Sequence, residues 1–265
     1  MQGMERYRVG TAVRDELLGL PAPDPEWVVI GAGPEDLAAA GYLPDPHGDG
    51  GFIEPQTGVR CRPACAEAPG PDGGLVAVHG AQVTLEQELA RRDLTIHAMA
   101  IARDGRLIDP YGGRADLDAG LLRHVTPRFA QHPEYLFSVA ATAARLARWG
   151  FHLAHATYAL MRRMAAAGID AEPAVIAAAF DAALAAPRPS AFFRTLGRCG
   201  VFAHLCPALD RRLAHRAAHA GGGPSGLLTA LDGPSTPDAR CAALVRELGD
   251  DAAEVLAAFS REPPP

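Results

Sequence analysis

The chain has 265 residues and a mass of 27.8 kDa, with 48% hydrophobic and 21% charged residues. Those proportions exclude disorder as its main state and allow one large core or two small ones. All 25 basic residues are arginine, set against 31 acids, and a net charge of −6 excludes a protein that coats nucleic acid along its whole length. The charge is uneven, however. Residues 136–220 hold ten Arg against Asp170, Glu172, Asp181 and Asp210, a local balance of +6 that leaves −12 for the remainder. Such a basic middle can grip a phosphate backbone, and it can equally be a solvated helix face.

The predicted elements begin with a short strand, Tyr7–Val9, entering Gly10-Thr11, and a helix over Ala12–Leu18. The β-branched run Trp27–Ile30 reads as a buried strand, followed by a short helix over Pro34–Ala40 that Gly41 stops. Phe52-Ile53 starts another strand, Glu54–Gly58 is turn chemistry, and residues 68–74 read as a flexible loop. Thr84 with Gln87 three residues on is a capping-box pattern for a helix running to Asp93. From about Pro127 the pattern is helical: Tyr135–Trp149, Thr157–Ala167, Pro173–Ala186, Ser190–Cys199 and Pro207–Ala220, separated by Gly or Pro breaks. A Gly-rich linker at 220–226, a last helix pair at Pro237–Leu248 and Asp250–Ser260, and a Pro tail complete the chain. The fold class expected is α+β: a head with a small mixed sheet over 1–126, a helical neck and body over 127–220, and a linker with a helical tail over 221–265.

Five cysteines (Cys61, Cys65, Cys199, Cys206, Cys241) are an odd number, and Met1–Gly10 carries Glu5, Arg6 and Arg8 with no apolar core. Reduced thiols in a cytoplasmic protein are therefore expected, with no membrane partner.

Two segments compete for the chemistry. Val28-Val-Ile-Gly31-Ala-Gly33 suggests a dinucleotide turn, but Asp36 stands where the third glycine belongs, and an acid there opposes a pyrophosphate. Just before it, Asp24-Pro25-Glu26 leads into the Trp27 strand. Carboxylates two apart on an extended strand share a face, the geometry that clamps Mg²⁺ between protein and triphosphate oxygens. Alone, such a pair is most often a charged loop. Around it stand Gly10-Thr11, Arg14-Asp15, Arg91-Arg-Asp-Leu-Thr-Ile-His-Ala98, Leu107–Gly113, Asp116-Leu117 and Leu121–His124.

With these motifs the chain, from about Tyr7 to Leu209, strongly resembles bacterial CCA-adding enzymes of class II, the tRNA nucleotidyltransferases with a poly(A)-polymerase head. The resemblance implies a polymerase-β-like nucleotidyltransferase head, an NTP substrate, Mg²⁺ held by Asp24 and Glu26 as catalytic ligands, and a tRNA or other RNA 3′ end as acceptor. It implies a triphosphate-holding turn at Gly10 and Thr11 and nucleotide contacts from Arg14, Asp15, Arg91, Arg92, Asp93 and His97, the last in place of the family's Asn. From the template helix it implies contacts by Tyr135 and Arg145.

The departures are as informative. Thr11 replaces a glycine, and Val59-Arg60-Cys61 stands where a third acid is expected, so that Arg60 would repel Mg²⁺. The template that reads CTP and ATP has become Gln131-His132-Pro133-Glu134-Tyr135, then Ser138 and Ala141, with Arg145 alone surviving. CCA addition itself is therefore not expected. The leading reading is Mg²⁺-dependent nucleotidyl transfer with altered nucleotide or acceptor choice. Beside it stand an inactive family member that binds tRNA or a protein partner, and a transferase acting on a small molecule or peptide. His97 and His132 are candidate general bases. Arg211, Arg212 and Arg216 are candidate RNA contacts, while His152-x2-His155 lacks an evident third metal ligand.

Overall fold

The structure, a computed structural model, describes residues 3–21, 23–46, 50–71, 74–219 and 226–259, with side chains not described over 214–219. The Gly-rich stretch at 220–225, residues 72–73 of the expected loop and the Pro tail fall outside the described residues. In the first half the elements are β1 (Glu5–Val9), α1 (Thr11–Leu17), β2 (Glu26–Ile30), α2 (Pro34–Ala39), β3 (Leu43–Pro44), β4 (Phe52–Ile53), β5 (Arg60–Pro63), β6 (Cys65–Pro69) and β7 (Leu75–His79). Then come α3 (Leu85–Ala90), β8 (Ala100–Ala102), β9 (Leu107–Ile108), α4 (Gly113–Asp118) and β10 (Leu121–Leu122). The second half holds α5 (Tyr135–Leu146), β11 (His152–Leu153), α6 (His155–Ala167), α7 (Pro173–Ala185), α8 (Ser190–Cys199), α9 (Phe202–Leu205) and α10 (Pro207–His219). It closes with α11 (Gly226–Asp232), α12 (Pro237–Leu248) and α13 (Ala252–Ala258).

The chain divides into two units, Met1–Ala119 with Arg123–Gln131, and Gly120–Leu122 with His132–Pro265. The first unit is built on a seven-stranded mixed sheet in the order β3-β4-β5-β2-β1-β8-β9. β2 is central because Val28 and Val29 are apolar on both faces, and both are fully buried. It pairs antiparallel with β1, setting Val9 opposite Glu26, and parallel with β5, setting Trp27 opposite Cys61 and Val28 opposite Arg62. One face of the sheet packs Val9, Val28 and Ala100 against Leu85 and Leu89 of α3. The capping box forms as its sequence requires: Thr84 Oγ1 accepts from the Gln87 amide, and the Gln87 side chain accepts from the Thr84 amide. Asp36 likewise accepts from the Gly33 amide at 2.8 Å, so the acid that spoils the dinucleotide fingerprint closes the start of α2.

The second unit is helical apart from β10 and β11, which pair in parallel. Its centre is an aromatic cluster of Phe180, Phe192, Phe193, Phe202 and Phe259, all fully buried. Phe259 follows α13, so the described part of the 221–265 segment packs into this core. Arg240 of α12, itself buried, donates to the carbonyls of Leu184 and Ala186 and satisfies the C-terminus of α7. Asp232 accepts from the Ser190 amide and hydroxyl, closing the N-terminus of α8. Arg212 is spent in the same way, on Asp251 and the Leu248 carbonyl, so of the expected RNA-contacting arginines it serves the packing of α10 on the tail. The Arg216 side chain lies outside the described residues. Among the described residues no helix is long and apolar enough to cross a membrane.

Gly113, at the start of α4, shows how tightly the first unit is packed. A Cβ there would lie 2.1 Å from the Thr95 carbonyl oxygen and 2.8 Å from Met99 Cγ. Backbone cannot yield as a flexible side chain does, so Gly113→Ala is expected to destabilise the protein by about 2–3 kcal/mol, read from the midpoint of urea unfolding.

Candidate active site

The site grows out of the β1–α1 turn. Gly10 adopts φ 78° and ψ −144°, a conformation that favours glycine, and hands the chain to α1 with Thr11 as its first residue. The positive φ therefore belongs to Gly10 alone. Thr11 is an exposed helical residue, and its side chain does not obstruct the turn as its sequence position suggested. What fills the turn is Glu26: a Cβ on Gly10 would meet Glu26 Oε2 at 3.0 Å and Arg92 Nη1 at 3.3 Å. The pairing of Val9 with Glu26 across β1 and β2 is the reason.

Glu26 is committed to arginine. Arg92 donates to both of its oxygens, at 2.8 and 2.9 Å, and Arg62 Nε donates to Oε1 at 2.8 Å. Behind them Glu88, fully buried on α3, accepts from Arg62, from Arg92 and from the Cys65 amide. Two carboxylates and the guanidiniums of Arg62 and Arg92 thus form one cluster, whose bidentate pairs are the strong kind. Burial pushes the Glu26 carboxyl up, but the hydrogen bonds and charge of Arg92, then Arg62, outweigh it and bring the pKa down to about 2. Burial by itself would lower the Arg92 pKa, and the facing Glu26 and Glu88 carboxylates raise it instead.

The expected opposing charge is therefore Arg62 and not Arg60. Arg60 is largely exposed and approaches Asp45 at 3.4 Å, while Arg62 enters the cluster. Asp24 also departs from the extended-strand geometry expected of it. β2 begins at Glu26, so Asp24 precedes the strand and is exposed. Glu26 Oε1 accepts from both arginines and Oε2 from Arg92 alone, so the carboxylate that a divalent cation would need already faces two guanidinium charges. A hollow of about 210 Å³ bounded by Glu26, Asp45, Arg60 and Arg62 lies beside it, smaller than pockets that enclose a nucleotide-sized ligand.

Arg14, Asp15, Asp93 and His97 form a second buried group. Arg14 Nε donates to Asp15 at 2.7 Å, Arg14 Nη1 lies 2.6 Å from His97 Nε2, and His97 Nδ1 lies 2.7 Å from Asp93. A guanidinium only donates, so Nε2 accepts and Nδ1 carries the proton towards Asp93. Both ring nitrogens are then occupied, which removes His97 as a general base. The histidine bridges Arg14 to Asp93, the position for which the resemblance implies Asn. Arg91 bridges Glu67 at 3.4 Å and Glu88 at 3.6 Å, sharing Glu88 with Arg92. Tyr135 and Arg145 belong to the helical unit. There the Tyr135 ring stacks on His132 with centroids 4.6 Å apart, and Arg145 is partly buried on α5. His132 faces Glu134 at 3.0 Å.

Sequence reasoning missed Arg62 and Glu88. Glu88 on α3 stands four residues before Arg92, which follows the helix end, a spacing that signals the pair. Arg62 carries no such signal, because only the parallel register of β5 on β2 brings it to Glu26.

A mixed sheet with this β1–turn–α1 corner, followed by a helical unit, defines a nucleotidyltransferase head with a helical body. Residues 64–123 match the poly A polymerase head domain family. The multifunctional CCA protein of Methylococcus capsulatus is 49% identical over 214 residues, covering 78% of this chain and 50% of that one. That of Halorhodospira halophila is 44% identical over 258 residues, covering 93% of this chain and 62% of that one. Among solved structures, the Bacillus stearothermophilus CCA-adding enzyme in complex with CTP superposes with a TM-score of 0.72 at 24% identity, over 98% of this chain and 62% of that one. The chain belongs to the class II CCA-adding enzyme family, and it spans about half the length of curated relatives that it matches.

Two outcomes are expected of the charge cluster. Glu26 is held below its ordinary pKa of 4.5, so its contribution to stability is full above that value and is lost as pH falls towards 2. Glu26→Gln should flatten the pH dependence of urea unfolding in that window. Glu88→Ala leaves two guanidiniums beside a single carboxylate and should cost about 3–5 kcal/mol of unfolding free energy.

Proposed function

We propose that this chain is a tRNA-binding member of the CCA-adding family that does not carry out metal-dependent nucleotide addition. The observation that carries the reading is the pairing of Glu26 with the guanidiniums of Arg62 and Arg92. Mg²⁺ takes oxygen ligands in near-octahedral geometry and loses its water reluctantly. An exposed Asp24 beside a carboxylate already paired with two guanidinium charges does not fit it. The amino-acid template is altered in the same sense: His132, Tyr135 and Ser138 stand where the resemblance implies an Asp and two Arg that select the incoming base. The support for tRNA as partner comes from the relatives, which are named for CCA addition, and from a similar structure of a tRNA nucleotidyltransferase with a primer tRNA and an incoming ATP analogue. The arginine-rich helical unit supplies charge of the right sign.

A second reading, nucleotidyl transfer with altered specificity, is favoured by the buried Arg14–His97–Asp93 chain, which keeps the nucleotide-facing motif ordered.

One experiment separates them. The full chain is incubated with total tRNA and each labelled NTP in Mg²⁺, beside Asp24→Ala, while tRNA affinity is measured across a salt series. The proposal expects no label on RNA, and an affinity that falls steeply with salt. Label that requires Asp24 would replace it with the transferase reading, and the absence of tRNA binding would overturn both.

A further inference from the structure

The helical unit contains a cavity of about 670 Å³, bounded by α5, the 150–155 turn, the start of α6 and α8. Its polar lining is His152, His155, Tyr158, Arg194, Thr195 and Arg198, and none of its lining residues is an acid. That is unusual in a chain with six more acids than bases. Arg194 and Arg198 are exposed and, among the described residues, neither is ion-paired. Arg194 donates to the Ser190 hydroxyl at 3.2 Å, and the Arg198 guanidinium lies 5.5 Å from the centre of the Tyr158 ring. Tyr158 in turn donates to the Arg198 carbonyl at 3.0 Å, which fixes the ring beside the charge. The 13-residue helix α6 opens onto the same cavity, with Ala154 at its N-cap and no side chain to accept from its first amides. Phe151 lines the cavity, and Trp149, in the adjoining turn, is 49% exposed.

We infer that this cavity is a nucleotide site, taking the phosphate between Arg194 and Arg198 and the base against an aromatic side chain. Its volume matches a ligand of that size. Two guanidiniums that meet no carboxylate among the described residues keep charge and donors for a phosphate, Arg194 having given one to Ser190. Tyr158 against the Arg198 guanidinium, with Phe151 on the same wall, is the pairing of stacking surface and charge that single-stranded nucleic acid uses. The site lies wholly in the helical unit and does not depend on the reading of the head. A free nucleotide and a nucleotide within a single strand share this chemistry.

Calorimetric titration of the full chain with AMP, and separately with a single-stranded oligoribonucleotide, tests the inference. Saturable binding is expected, at least tenfold weaker in the Arg194→Glu, Arg198→Glu double variant with its circular dichroism unchanged. A tighter oligoribonucleotide identifies an RNA strand as the occupant, and equal affinities identify the free nucleotide. If the double variant does not fold, Arg194→Gln and Arg198→Gln, each at an exposed position, should separately weaken binding about threefold or more. Binding that the variants leave unchanged, or no binding of either probe to the native chain, would overturn the site.

Discussion

The pairing of Glu26 with Arg62 and Arg92, backed by Glu88, is the constraint on which the head depends. It ties three elements together: Glu26 begins β2, Arg62 lies on β5, Glu88 on α3, and Arg92 just after that helix. Glu88 is fully buried, and a carboxylate taken out of water is tolerable only with its partners in place. The cluster therefore fixes how α3 sits on the sheet, and it crowds the Gly10 turn, where the resemblance implies a triphosphate. A cation is needed wherever acids converge, and here arginine supplies it. One arrangement thus stabilises the fold and sets two guanidinium charges on the carboxylate for which the resemblance implies Mg²⁺.

The helical unit solves a different problem. Its interior is an aromatic cluster, which needs no polar partner, but the helix ends around it leave backbone groups to satisfy. Arg240, Asp232 and Arg212 meet that need across segments distant in sequence. The described tail is therefore a structural component of the unit. This division of labour leaves Arg194 and Arg198 without a carboxylate partner among the described residues, on the wall of a cavity lined by no acid.

The fold class, most helices of the body and the capping of α3 were legible along the chain, because each rests on local chemistry: apolar periodicity, Gly and Pro breaks, and the Thr84-x-x-Gln87 pattern. The site was legible only in part. Glu26, Arg92, Arg14, Asp93 and His97 stand out by motif. Arg60 and Arg62 both sit on a short strand of alternating faces, and nothing in the order of residues distinguishes the arginine that reaches Glu26 from the one that reaches solvent. The role of Thr11 depended on which residue of the turn takes positive φ, and the extent of β2 decided that Asp24 lies outside it.

The sequence by itself determined the family, the α+β head followed by helices, and the residues at 132, 135 and 138 that depart from the template the resemblance implies, since these reside in residue identity and spacing. Tertiary structure alone decided what Glu26 is bound to, that the tail completes the helical core, and that Arg194, Arg198 and Tyr158 share one cavity. The physical reason is that charge pairing and cavity formation join residues through strand register and helix packing, and neither is encoded in any local stretch of the chain.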